Sequence, residues 1–182
     1  MLKKLLIAAV MVFFGFGMIA QADEGGWKEW ATSLGDYNPV IREIVKKFRD
    51  NINEANESMK EARKKNNGVA REKVIARYSG RAESIIAELK ALKPPRDLES
   101  PHGTLIKTLG YRKISDEAAL RDDPENAILY QLKAVRSDLN YFEELRSIYA
   151  AHGAPAKYTD RMDTVIAKFR RSVDDYKELV NK

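Results

Sequence analysis

The sequence predicts an all-α protein: an up-and-down antiparallel bundle of four to five long helices, preceded by a cleavable signal peptide. Three observations carry that expectation. Apolar residues recur at alternating three- and four-residue spacing through five segments, the mark of packed helices. Capping and breaking residues fall between those segments. Nothing in the chain shows the period-two alternation of a strand.

Residues 1–22 come first. Lys3 and Lys4 precede an apolar run from Leu5 to Ile19, and Ala20-Gln21-Ala22 supplies a small-x-small cleavage pattern. A run of roughly 15 residues is shorter than the ~20 a membrane-spanning helix needs. Export by a bacterium, to the periplasm or the medium, is the expectation, with a mature chain that starts near Asp23 and keeps no stable membrane insertion. No cysteine follows the run, so a lipid anchor is excluded.

Residues 23–37 hold a short helical segment in which Trp27, Trp30 and Leu34 share one face. Such a segment either anchors on a membrane surface or partner or folds back to plug the end of the bundle, and the plug is the commoner outcome.

The bundle domain is expected over 38–182. Its first helix opens at Asn38-Pro39, reads Ile41, Val45, Phe48, Ile52, Ala55, Met59, Ala62, and closes at Asn66-Asn67-Gly68, residues that tolerate the left-handed conformation. The second reads Ile75, Tyr78, Ala82, Ile85, Leu89, Leu92 and is stopped by Pro94-Pro95. The third starts at Leu98 or at a Ser100-Pro101 cap. It keeps register through His102, Leu105 and Leu109, then is diluted by Arg112, Ser115 or Asp116, and Ala119 before ending near Asp122. Asp123-Pro124 opens the fourth, with Ile128, Leu132, Val135, Leu139, Phe142, Leu145, Tyr149 and a C-cap at Gly153. The fifth begins around Pro155 and reads Tyr158, Met162, Val165, Phe169, Ser172, Tyr176, Leu179.

Composition narrows the chemistry. Removing residues 1–22 from the 182 leaves 160, the size of one domain. It also takes two of the 32 basic residues and none of the 27 acidic ones, lowering the formal net charge from +5 to +3. Interleaved signs at so small an excess argue against a nucleic-acid surface, which needs a clustered stripe. The nearest cluster, Lys60, Arg63, Lys64 and Lys65, falls at a predicted helix end, where cations complement the dipole. The absence of cysteine removes thiol catalysis, thiolate zinc sites, iron–sulfur clusters and covalent haem. Phosphate loops, a Gly-x-Ser-x-Gly elbow and His-Glu-x-x-His are also absent. No enzyme, resident metal or cofactor is expected; any partner would be another envelope protein.

Hairpin topology places the remaining candidates. If every helix reverses, one pole collects the tryptophan segment, Tyr37, the Lys93–Pro101 loop and the His152–Tyr158 loop. His102, His152, Trp27, Trp30, Tyr158 and Glu99 therefore form the candidate ligand-binding set, with Asp97 nearby. Two imidazoles there could hold a metal or a b-type haem, or sense pH. The plainer alternative is a hydrogen-bonded His102 inside the bundle and a His152 favoured by a helix dipole. Glu99-x-x-His102 has the spacing of di-iron bundles, but those need two such motifs and further glutamates, and here Pro101 interrupts the only one. The opposite pole, with Asn66-Asn67-Gly68, Arg121-Asp122-Asp123 and Asn181-Lys182, reads as solvated turns.

The stretch Leu92-Lys93-Pro94-Pro95-Arg96-Asp97-Leu98, followed by His102, Leu105 and Leu109, resembles the second-to-third helix junction of uncharacterised exported bacterial helical-bundle proteins. The resemblance covers 20–30 residues. It implies a four- or five-helix bundle in the envelope and transfers no functional residue.

Overall fold

In the computed structural model the described residues are 25–181; the predicted signal peptide lies outside them. Those residues form six α-helices and one short 3-10 turn, with no strand among them. They are α1 (Gly25–Ser33), α2 (Tyr37–Lys64), α3 (Gly68–Ala91), the turn Arg96–Leu98, α4 (Glu99–Leu120), α5 (Pro124–Ala151) and α6 (Ala156–Val180). None of these helices is long and apolar enough to cross a membrane.

The helix ends follow local chemistry. α2 starts slightly earlier than its proline suggests: Asp36 is the N-cap, and Pro39 sits inside the first turn, where its missing N–H costs nothing. Between α2 and α3 the left-handed residue is Asn66, at φ 46°, while the Asn67 side chain caps α3 by accepting from the Ala70 N–H at 2.9 Å. Leu92 turns extended ahead of Pro94-Pro95 and ends α3. Asp123 caps α5 through the Asn126 N–H at 3.1 Å, with Pro124 at the first helical position. Gly153, at φ +71°, closes α5.

Successive long helices run antiparallel, as their cross-contacts show. Lys47 pairs with Glu88 and Glu54 with Arg77 and Arg81 between α2 and α3. Glu83 meets Lys113 and Glu72 meets Arg121 between α3 and α4. Arg146 meets Asp163 and Glu143 meets Arg170 between α5 and α6. In each pair a rising number on one helix meets a falling number on the next.

Two apolar cores result. One joins α2, α3 and α4 around Ile44, Phe48, Met59, Tyr78, Leu89 and Leu105. The other joins α5 and α6 around Val135, Phe142, Met162 and Phe169, with Phe142 and Phe169 stacked at 5.4 Å. Within α3 it is Ile86, not Ile85, that is buried. α4 packs most extensively on α5, and that seam is polar. Thr108 Oγ1 donates to Ser137 Oγ at 2.8 Å, and Ser115 Oγ donates to the Ala127 carbonyl at 2.8 Å. Arg112 pairs with Asp138 across it, and on the side of α4 that meets α3 the Tyr78 hydroxyl donates to Asp116 Oδ2 at 2.7 Å. Three charged side chains, Arg112, Asp116 and Asp138, are thus buried. Each is held by a specific partner, the condition under which charge survives burial.

Candidate functional site

Five pieces of chain converge at one end of the molecule: α1, the start of α2, the turn Arg96–Leu98 with the start of α4, the end of α5 and the start of α6. α1 lies folded onto this pole, burying Trp27, Trp30, Ala31 and Leu34 against Leu98, Tyr149 and Tyr158. A buried tryptophan removes 150–250 Å² from water, about 4–6 kcal/mol each before the cost of ordering the helix. The tryptophan segment is therefore a plug and not an outward-facing anchor. It joins α2 through Leu34-Gly35-Asp36, and Gly35 takes φ +47°, a conformation glycine adopts without a Cβ penalty.

The aromatic rings interlock. Trp27 lies 5.3 Å from Trp30, 5.0 Å from Tyr149 and 5.4 Å from Tyr158, centroid to centroid. Trp30 stacks on the His152 imidazole at 4.4 Å with the planes 14° apart. Asp97 ties the stack together: its Oδ2 accepts from Trp30 Nε1 at 3.2 Å and lies 3.1 Å from His152 Nε2. One carboxylate oxygen thus clasps α1 to the end of α5.

His102 sits apart from that clasp. Its Nδ1 is 2.8 Å from the Tyr37 hydroxyl. Burial lowers the imidazole's pKa, and burial raises Tyr37 to about 12, so at neutral pH a neutral ring faces a protonated phenol. The phenol then donates to Nδ1, which leaves the ring proton on Nε2. That nitrogen is buried without a hydrogen-bond partner; the Leu89 carbonyl is near enough to favour a protonated ring but lies outside hydrogen-bonding geometry.

Between plug and bundle lies a cavity of about 70 Å³, walled by α1 (Trp27) and the Leu34 that follows it, α2 (Tyr37, Arg42), α4 (His102), α5 (Phe142, Tyr149) and α6 (Tyr158, Met162). A second depression of about 130 Å³ lies between α2 and α3. Part of its polar wall is already matched, since Glu54 takes both Arg77 and Arg81 and Asn51 Nδ2 donates to the Tyr78 carbonyl at 3.0 Å. The pole cavity is the better candidate.

Of the six candidates named from sequence, the pole gathers five. Trp27, Tyr158 and His102 line the cavity, and Trp30 with His152 forms the clasp beside it. Glu99 is exposed at the start of α4 and joins neither group. The two histidines enter separate pairs, one with Tyr37 and one with Asp97, and no group of three or more His, Asp or Glu side chains that could hold a metal ion occurs among the described residues. Arg42 and Tyr141, also on the cavity wall, were missed. Their one signal was position: Arg42 lies within two turns of the start of α2, level with Tyr37, and Tyr141 precedes the core residue Phe142.

No protein-family model, curated protein or solved structure matches this chain.

Proposed function

We propose that the chain is an exported, non-enzymatic binding or accessory protein of the bacterial envelope, built as a single up-and-down helical bundle. We place its binding site at the pole closed by α1, in preference to any charged helix face. What supports this most directly is the cavity beneath the plug, where aromatic walls and a few convergent polar groups meet as they do in small-ligand sites. The helix faces offer less, because many of their charges are paired with neighbours on the same chain. Of the ligands considered from sequence, a b-type haem finds no room in about 70 Å³; the space suits a small molecule.

The chain carries only two tryptophans, both at this pole, so intrinsic fluorescence reports the site alone. The mature protein should show a saturable change in tryptophan emission, with a matching rise in melting temperature, for a member of a panel of small anionic, cationic and neutral metabolites. A panel that moves neither signal removes the ligand reading and leaves a protein that docks through its surface. Export is checked by cell fractionation and N-terminal sequencing, with Asp23 as the expected first residue; an uncleaved cytoplasmic chain defeats it.

A further inference from the structure

The cavity wall has a one-sided inventory of polar groups. Arg42 is on it, as are Asn38, His102 and the hydroxyl-bearing Tyr37, Tyr141, Tyr149 and Tyr158, and no Asp or Glu belongs to it. The Arg42 charge is close enough to Tyr149 to work against the effect of burial on that phenol. Tyr141 in turn lies within electrostatic reach of Tyr37 and Tyr149. Burial raises all three phenols, so each stays protonated at neutral pH, the Tyr37 O–H being given to His102 Nδ1. A guanidinium has five N–H donors, so Arg42 can keep a protein partner and still serve a ligand. The remaining wall is apolar, with Leu34, Ile41 and Met162 among it.

We propose that this cavity binds a short-chain monocarboxylate, its carboxylate at Arg42 and the Tyr149 hydroxyl and its hydrocarbon body against Leu34, Ile41 and Met162. A carboxylate is an acceptor-only group that matches the Arg42 and Tyr149 donors, and its bonds to a guanidinium are charge-assisted. One water occupies about 10–15 Å³ on the scale by which the cavity holds about 70 Å³. The space therefore fits roughly five to seven non-hydrogen atoms, the size of propionate to valerate. A dicarboxylate would press its second charge into apolar wall without a partner, at high cost. A cation would meet Arg42 with no acidic residue to receive it. An inorganic anion would use the donors and leave the apolar wall uncovered.

The inference rests on the pole being a ligand site, and a matched series separates the two ideas. Butyrate, butyramide, n-butylammonium and succinate are titrated into the mature protein by calorimetry and tryptophan fluorescence. Butyrate should bind at least tenfold more tightly than the other three. Arg42→Gln should weaken butyrate by about ten- to a hundredfold, Arg42→Lys by less, and Tyr149→Phe by several-fold, with helical circular dichroism unchanged. Equal binding of butyramide or butylammonium, or full butyrate affinity in a folded Arg42→Gln protein, overturns the carboxylate assignment while the site stands. So does failure of all four when another member of the wider panel binds. Silence across both the series and the panel overturns the assignment and the site together.

Discussion

Arg112→Met should be among the most damaging single substitutions in this chain, although it lies far from the pole. The Asp138 side chain is fully buried and that of Arg112 is 10% exposed. Burial pushes the Asp138 carboxyl up and Arg112 works against that rise. One carboxylate oxygen bonds Arg112, and the other has no partner. Removing the guanidinium strands Asp138 and also removes the cation that lowers Asp116. Breaking a buried pair from one side costs about 3–5 kcal/mol. For a domain of this size that is a fall of about 6–20 °C in melting temperature, at 2–4 °C per kcal/mol. A stranded carboxyl escapes by taking up a proton, so the deficit should shrink at pH 5 and widen at pH 8. The double variant Arg112→Met/Asp138→Leu removes both charges and should regain most of the loss, because an apolar replacement of a buried pair is often neutral or better. Urea unfolding followed by circular dichroism measures the parent, Arg112→Met, Asp138→Leu and the double variant. A single variant that loses under about 1 kcal/mol, or a double variant as unstable as the sum of the singles, refutes the assignment of this pair as a mutually dependent buried unit.

Three further outcomes follow from the same coordinates. Burial raises Asp116 from 3.8 to about 6, so its native form holds a proton that the unfolded chain has released between those values. Its contribution to stability is full below about pH 4 and is lost as pH rises through 6, by up to about 3 kcal/mol; Asp116→Asn should flatten that decline, and an unchanged slope between pH 4 and 8 refutes it. Asp97→Asn weakens the clasp on Trp30 and His152 by about 1 kcal/mol, so tryptophan emission should shift to the red well below the global unfolding transition seen by circular dichroism, whereas coincident transitions mean that α1 is not an independent plug. Phe142→Ala, at a side chain 1% exposed and stacked on Phe169, should cost about 3–5 kcal/mol by chemical denaturation, and a loss under 1 kcal/mol removes it from the core.

The all-helical class and the main helix ends were legible because they depend on local chemistry: a cap, a proline pair, a left-handed Asn or Gly. The convergence at the pole was legible for a different reason, since hairpins alternate direction and the loops name their own residues. The polar seam was hidden by reading polar residues as breaks in a pattern they in fact continue. Leu98, His102, Leu105, Leu109, Arg112 and Asp116 keep an unbroken four-three spacing, and Arg112 and Asp116 are buried where that spacing puts them. α5 carries two such stripes. Leu132, Val135 and Phe142 enter the core shared with α6, while Ala127, Gln131 and Asp138 lie against α4, all of them buried. A helix packed between two neighbours needs both stripes, and small or paired polar side chains let its second face approach closely. Regular spacing, independent of hydropathy, was the available signal for the buried Arg112 and Asp116. The cavity had no equivalent signal. Arg42 differs from the solvated cations of α2 only in how the first two turns are rotated toward a pole assembled from four other segments, and that rotation is a property of packing rather than of local sequence.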